Sequence, residues 1–144
     1  MTFPRRIRRR TFLLGAAGLG ASLAWFGPTP FRGTSLSPSE RLASLLQHVD
    51  GALGVGREYL RQVPAEASPK VLTARVAERL PGGLATIEAT PDGHLRELLL
   101  SAAEEDFRDL RTTQVHGWVL ARTEARLCAL AALGVDQAPA QTRR

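Results

Sequence analysis

The chain has 144 residues, of which 19 are basic and 14 acidic, and 44% are hydrophobic but only 6% aromatic. This length allows one domain, and the composition predicts an aliphatic core. Five of the basic residues are arginines before residue 11, so a chain that starts at Trp25 would carry 14 basic and 14 acidic residues. Because phosphate binding needs surplus positive charge on the folded part, the formal charge of +5 does not indicate a nucleic-acid-binding protein.

The N-terminal region has the layout of an export signal. Residues 1–10 are basic, residues 11–26 are uncharged and mainly apolar, and Gly27 and Pro28 then break any helix. Within this region the run Arg9-Arg10-Thr11-Phe12-Leu13 resembles the signal of the twin-arginine translocation (Tat) pathway. The positions that carry the resemblance are Arg9, Arg10, Phe12 and Leu13. It implies that the Tat translocase is a partner during export and that the protein is periplasmic or otherwise extracytoplasmic.

The fate of the signal has two alternatives. Ser22 and Ala24 are small residues three positions and one position before Trp25, which favours cleavage after Ala24 and a signal peptide of residues 1–24. If the signal is retained, the uncharged residues 11–31 are long enough to span roughly 30 Å as a helix, although Pro28 would disturb its outer end. The second alternative is a protein anchored in the inner membrane.

Residues 25–37 lack periodicity and are predicted to be a linker, after which helical patterns begin. Ser37 is a natural N-cap and Pro38 a natural first helical residue. Leucine and valine then recur at three- and four-residue steps, which predicts a helix that continues to Pro64 with a kink or break near Gly54. A second, short helix is predicted to start at Ser68-Pro69.

The remaining pattern is also mostly helical. A third helix is predicted to begin at the cap Thr90, residues 111–120 are predicted to form a short extended connector, and the last helix is predicted from about Arg122 to Leu133 with Gly134 as its stop. Residues 135–144 are predicted to be a disordered tail. The expected fold is therefore an all-α domain of four or five helices at residues 38–134, after an N-terminal signal helix.

The side chains that carry chemistry are scattered along the sequence. Cys128 lies within an apolar turn of a helix, so a buried position is favoured over a nucleophile. His48, His94 and His116 are isolated, so no metal site is expected. No phosphate-binding loop or nucleophile elbow occurs in the sequence. We therefore predict that the protein is not an enzyme and has no cofactor.

An acidic cluster near the end of the third helix could in principle provide paired carboxylates. It contains Glu104, Glu105, Asp106 and Asp109. Arg108 and Arg111 follow closely and neutralise these carboxylates, and Glu104 stands four residues before Arg108. This arrangement predicts a solvated helix end rather than a catalytic pair.

The most distinctive stretch is Val115 to Leu133, where Trp118 follows Gly117 just before the last helix. One interpretation is a loop that packs on the core with the indole ring as its plug. The alternative is that Trp118, Arg122 and Arg126 form an exposed anchor for a partner, since tryptophan and arginine dominate interface energetics.

The overall layout, a twin-arginine signal followed by a small helical domain, is similar to that of the small accessory subunits of periplasmic dehydrogenases, such as the gluconate dehydrogenase small-subunit group. The resemblance implies an exported, non-catalytic protein that binds a larger exported enzyme and is the small subunit of a periplasmic oxidoreductase. The alternative is a stand-alone periplasmic helical module that binds a small ligand or a metal through converging histidine or carboxylate groups.

Overall fold

The structure is a computed structural model that describes residues 8–9, 36–46 and 51–137. Within these ranges there are six helices. They are α1 (Pro38–Ser44), α2 (Ala52–Gln62), α3 (Pro69–Ala77), α4 (Leu84–Ala89), α5 (Asp92–Arg108) and α6 (Arg122–Gln137). A short 3-10 helix, Pro64–Glu66, connects α2 to α3. Several predicted segments lie outside the described residues: the signal except for Arg8 and Arg9, the linker up to residue 35, His48, and residues 138–144 of the tail. The first three residues of the predicted tail, 135–137, belong to α6.

A small β-sheet interrupts the helical order between α5 and α6. Strands β2 (Thr112–Val115) and β3 (Trp118–Ala121) form an antiparallel hairpin, and the two-residue strand β1 (Arg8–Arg9) pairs in parallel with the other side of β3. The protein is therefore mostly helical, as expected, but the prediction of an all-α fold is wrong in this region.

The hairpin was predicted only as an extended connector because its turn is unusual. His116 and Gly117 are the two central turn residues, and both have positive φ, at 48° and 80°. Such two-residue turns match the right-handed twist of the flanking strands, and Asn-Gly is their common sequence. Since histidine takes the position of asparagine here, the sequence carries only half of the usual signal.

Helix α6 lies at the centre of the domain. It packs against α2 most extensively, and also against α1, α3 and α5. The core is aliphatic, as the composition predicts, and Tyr59 is the large aromatic side chain buried in it. The largest buried aliphatic side chains are Leu42, Leu46, Leu72, Ile87, Leu95, Leu99, Leu120, Leu127 and Leu130.

The local signals at the start of the domain are confirmed. Ser37 caps α1: the backbone N–H of Glu40 donates to its hydroxyl at 3.3 Å, and the backbone N–H of Ser37 donates to the Glu40 carboxylate at 2.8 Å. This reciprocal pair is a capping box. The break between the first two helices is also present, but α2 begins after Gly51, which has φ 83°, and Gly54 lies inside the helix.

Two helix boundaries differ from the predictions, and one helix was not predicted. Helix α5 is preceded by Pro91 rather than by a Thr90 cap, and α4 was not predicted because Ile87 is its only buried residue. Helix α6 continues through Gly134 to Gln137. A Cβ atom added at Gly134 would lie 3.5 Å from that of Ala43, so this glycine packs against α1 and does not end the helix. In the described part of the chain, no helix is both long and apolar enough to cross a membrane.

Candidate functional site

Cys128 lies in the interior of α6 and is fully buried. Burial, together with the negative charge of Glu124 one helical turn earlier, raises the pKa of the Cys128 thiol to about 12. Because the thiolate is the reactive form, this cysteine is chemically inert in the folded protein. The position agrees with the interpretation of Cys128 as a small hydrophobic core residue.

Asp106 differs from the other members of the acidic cluster, a difference that the sequence analysis did not predict. Its side chain is buried, and one carboxylate oxygen accepts the backbone N–H of Thr123 at 2.8 Å and the Thr123 hydroxyl at 2.7 Å. The other oxygen accepts Arg111 Nε–H at 3.0 Å and lies 3.3 Å from Arg79 Nε. Burial acts to raise the pKa of Asp106, but the hydrogen bonds from Thr123 and Arg111 outweigh it, and the pKa is lowered.

Asp106 therefore caps the N-terminus of α6 from the end of α5, and it is not a solvated residue as predicted. The cause is helical phase, since Asp106 follows the buried Leu99, Ala102 and Ala103 at seven, four and three residues. The exposed positions Glu104, Glu105 and Asp109 agree with the prediction. Glu105 pairs with Arg79 and Asp109 with Arg111.

Arg126, Glu66 and Tyr59 form a second buried polar network, between α6, the 3-10 helix and α2. Arg126 donates two hydrogen bonds to the Glu66 carboxylate, at 2.9 and 2.7 Å, and the Tyr59 hydroxyl donates to it at 2.7 Å. The Arg126 guanidinium lowers the pKa of Glu66, while burial and the bond to Glu66 raise the pKa of Tyr59 to about 12. The network joins residues 60 positions apart and holds the connector against α6.

The three candidate anchor residues do not form one exposed surface. Arg126 is only 8% exposed and is engaged by Glu66, so it does not belong to an exposed anchor. Trp118 is partly buried against the core, which agrees with the plug interpretation. Arg122 is exposed and is the first residue of α6, four residues after Trp118. Partner binding by Trp118 and Arg122 stays a prediction.

The histidines that the structure describes are not brought together. His94 is exposed on α5, where its Nδ1 lies 3.1 Å from the Glu97 carboxylate, and His116 is exposed in the hairpin turn. Among the described residues, no group of three histidine, cysteine, aspartate or glutamate side chains is placed to hold a metal ion.

Leu110 is the residue that sequence reasoning missed. It follows α5 and is 84% exposed, with φ 57°. The Leu110 N–H donates to the Phe107 carbonyl at 3.3 Å and the Arg111 N–H to the Asp106 carbonyl at 2.7 Å, which together make a Schellman motif. Glycine is the usual residue at this left-handed position, and a leucine there is strained. The sequence does not reveal the strain at Leu110, because that strain depends on the residue at which α5 ends.

A groove of about 540 Å³ lies between the starts of α1 and α4 and one face of α3. Leu84 at its edge is 47% exposed. The lining is mainly apolar and is formed by Pro38, Ser39, Lys70, Thr73, Ala74, Ala77, Glu78, Gly83 and Leu84. The hydroxyl of Thr73 is buried and has no hydrogen-bond partner among the described residues. The groove lacks the converging histidines and carboxylates that the ligand-binding alternative predicts.

Comparisons of the chain with protein-family models, with curated proteins and with solved structures find no match.

Proposed function

We propose that the protein is an exported, non-catalytic accessory protein that binds a larger exported enzyme, and that it serves as the small subunit of a periplasmic oxidoreductase. The observation that carries this proposal is the pattern Arg9-Arg10-Thr11-Phe12-Leu13 ahead of a helical domain. The Tat pathway accepts folded cargo. A small protein for which the sequence predicts no cofactor has a reason to use this route if it leaves the cytoplasm already bound to its partner.

The geometry of the reactive groups supports a binding role. Cys128 is buried, Asp106 caps a helix, and Glu66 binds Arg126. Each of these groups contributes to the fold, and none of them faces a cleft with a second group in reach of a substrate.

Subcellular fractionation tests the export half of the proposal. A C-terminally tagged full chain is compared with the double variant Arg9→Lys, Arg10→Lys, which keeps the positive charge but removes the arginine pair. We expect the tagged protein in the extracytoplasmic fraction, and we expect the variant to stay in the cytoplasm. Equal export of both proteins would contradict the assignment to the Tat pathway.

The partner half is tested in the same cells by mass spectrometry of the proteins that co-purify with the tag. We expect one large oxidoreductase in a fixed ratio, and its own export is expected to fall in the double variant. If the double variant exports that enzyme normally, the two proteins do not travel together and the accessory role is wrong.

A second candidate function is the binding of a small apolar ligand, and the groove favours it. A volume of about 540 Å³ lies within the usual range of roughly 300–1,000 Å³ for ligand pockets. Ala74→Arg places a long charged side chain in this groove from an exposed position on α3. If a small molecule co-purifies with the exported protein, native mass spectrometry would find it on the unchanged chain and not on this variant.

A further inference from the structure

Two local features at one end of the β-hairpin oppose the stability of the fold. Leu110 is a strained, exposed leucine where glycine is favoured. Arg122 is the first residue of α6, where the helix dipole disfavours a cation. Residues that break local rules without a gain in stability are characteristic of functional surfaces.

These residues lie close together in the fold. The Arg122 N–H donates to the Arg111 carbonyl at 3.0 Å, which places Arg122 beside the residue that follows Leu110. Arg108 is exposed two positions before Leu110. Neither Arg108 nor Arg122 forms an ion pair with any side chain that the structure describes, whereas Asp109 and Arg111 neutralise each other. We call the three residues Arg108, Leu110 and Arg122 the hairpin-base surface.

We propose that the hairpin-base surface is the docking site for the partner enzyme, and that the matching surface is an apolar pocket edged by carboxylates. This inference rests on the proposed function. A protruding leucine fills such a pocket at the centre of an interface, and two arginines with no ion-pair partner among the described side chains complement acidic groups at its rim. An arginine can bind a carboxylate through two parallel hydrogen bonds, which also fixes orientation.

The partner that this surface fits is therefore specified by charge. An acidic pocket rim compensates the unfavourable position of Arg122 at the start of α6. It also gives Leu110 a contact that the isolated domain does not provide, since this side chain is 84% exposed. Binding then offsets both local penalties with new contacts.

Photo-cross-linking tests the site on the full chain. Leu110 is replaced by the photo-reactive amino acid benzoylphenylalanine, and the exported fraction is irradiated and analysed by mass spectrometry. The matched control carries the same amino acid in place of Leu84, an exposed leucine on a different helix. We expect a cross-link from position 110 to the co-purifying enzyme, in a peptide rich in aspartate or glutamate, and none from position 84.

Two variants separate docking from folding. Leu110→Gly relieves the positive φ and is expected to raise the midpoint of thermal unfolding while it weakens capture of the enzyme at least tenfold. Arg122→Glu is expected to weaken capture to a similar degree without unfolding the protein, because Arg122 is exposed. A purely structural role for Leu110 would make stability and capture change in the same direction.

The outcomes distinguish this inference from the proposed function. If the enzyme co-purifies but no cross-link forms at position 110, or the linked peptide is basic, the docking site is wrong and the accessory role stands. If Leu110→Gly captures the enzyme normally, the docking site is also wrong. If the protein is exported alone and neither position cross-links, both proposals fail.

Discussion

Gly56 of α2 packs directly on the backbone carbonyl of Cys128 in α6. A Cβ atom added at Gly56 would lie 2.0 Å from the Cys128 carbonyl oxygen, a separation that only a backbone shift can relieve. This contact sets how closely the two helices approach each other, and α6 packs on α2 more than on any other described helix. Glycine is a poor helix former, but at position 56 it is thus a requirement of the core.

Gly56→Ala is expected to destabilise the protein by about 3 kcal/mol, because the added methyl group forces α2 away from α6. The measurement is the free energy of unfolding by urea, followed by circular dichroism. Gly54→Ala is the matched control in the same helix, where an added Cβ meets nothing within 4 Å. That control is expected to gain about 0.5–1 kcal/mol from helix propensity. Equal effects of the two variants would contradict the close approach.

Asp106 and Glu66 are expected to make the protein sensitive to acid. Both have pKa values lowered below their ordinary values of 3.8 and 4.5. As the pH falls, the unfolded chain takes up these protons first, so the stability that the carboxylates contribute at neutral pH is lost as the pH falls through their folded-state pKa values. Unfolding midpoints are therefore expected to change little between pH 7 and about pH 5, and to decrease as the pH falls further through the ordinary values of 4.5 and 3.8.

Asp106→Asn is expected to flatten part of this pH dependence and to cost about 2–3 kcal/mol at neutral pH, since it leaves Arg79 and Arg111 without their buried carboxylate. Glu104→Gln is the control, because Glu104 is exposed and forms no ion pair with the side chains that the structure describes. Its effect is expected to stay within about 0.5 kcal/mol. If Asp106→Asn loses stability at low pH as much as the unchanged protein does, the Asp106 carboxylate is not a cause of the acid sensitivity.

Cys128 is expected to react with a thiol reagent only after the protein opens. Its side chain is fully buried, and the pKa of about 12 leaves almost no thiolate at neutral pH. Labelling followed by absorbance is expected to be at least about 10³-fold slower in buffer than in urea, in proportion to the small unfolded fraction of a stable domain. Labelling at similar rates in both solutions would contradict the buried position.

The hairpin turn provides a stabilising substitution. His116→Asn is expected to raise the free energy of unfolding by a few tenths of a kcal/mol up to about 1 kcal/mol, because asparagine tolerates the φ of 48° better than histidine. Gly117→Ala in the same turn is expected to cost about 1 kcal/mol, since its φ is 80°. Thermal melts of both variants test the pair, and a stabilised Gly117→Ala would mean that the turn has another conformation.

The features that a few consecutive residues determine could be predicted from the sequence. The capping box at Ser37 and Glu40 needs only four consecutive residues, and the apolar stripe of α1 needs only helical periodicity. The capping of α6 by Asp106 and the pairing of Arg126 with Glu66 depend on contacts 17 and 60 residues apart, which no short window contains. The strain at Leu110 depends on where α5 ends, so the sequence alone gave no reason to select this residue.

Three glycines also show that the sequence alone does not determine the structural role of a residue. Gly51 breaks the helical pattern with φ 83°, Gly56 admits a neighbouring helix, and Gly134 lies inside α6 against Ala43. The sequence records the same residue type in each case. Only the packing partner or the backbone angle decides which role a given glycine has.

The most direct test of the accessory role is the mass of the tagged full chain isolated from the exported fraction under native conditions. Native mass spectrometry is expected to find a complex of this protein with one larger oxidoreductase in a fixed ratio. A protein that is exported but isolated only as the free chain, in cells that contain all of its natural partners, would contradict the account.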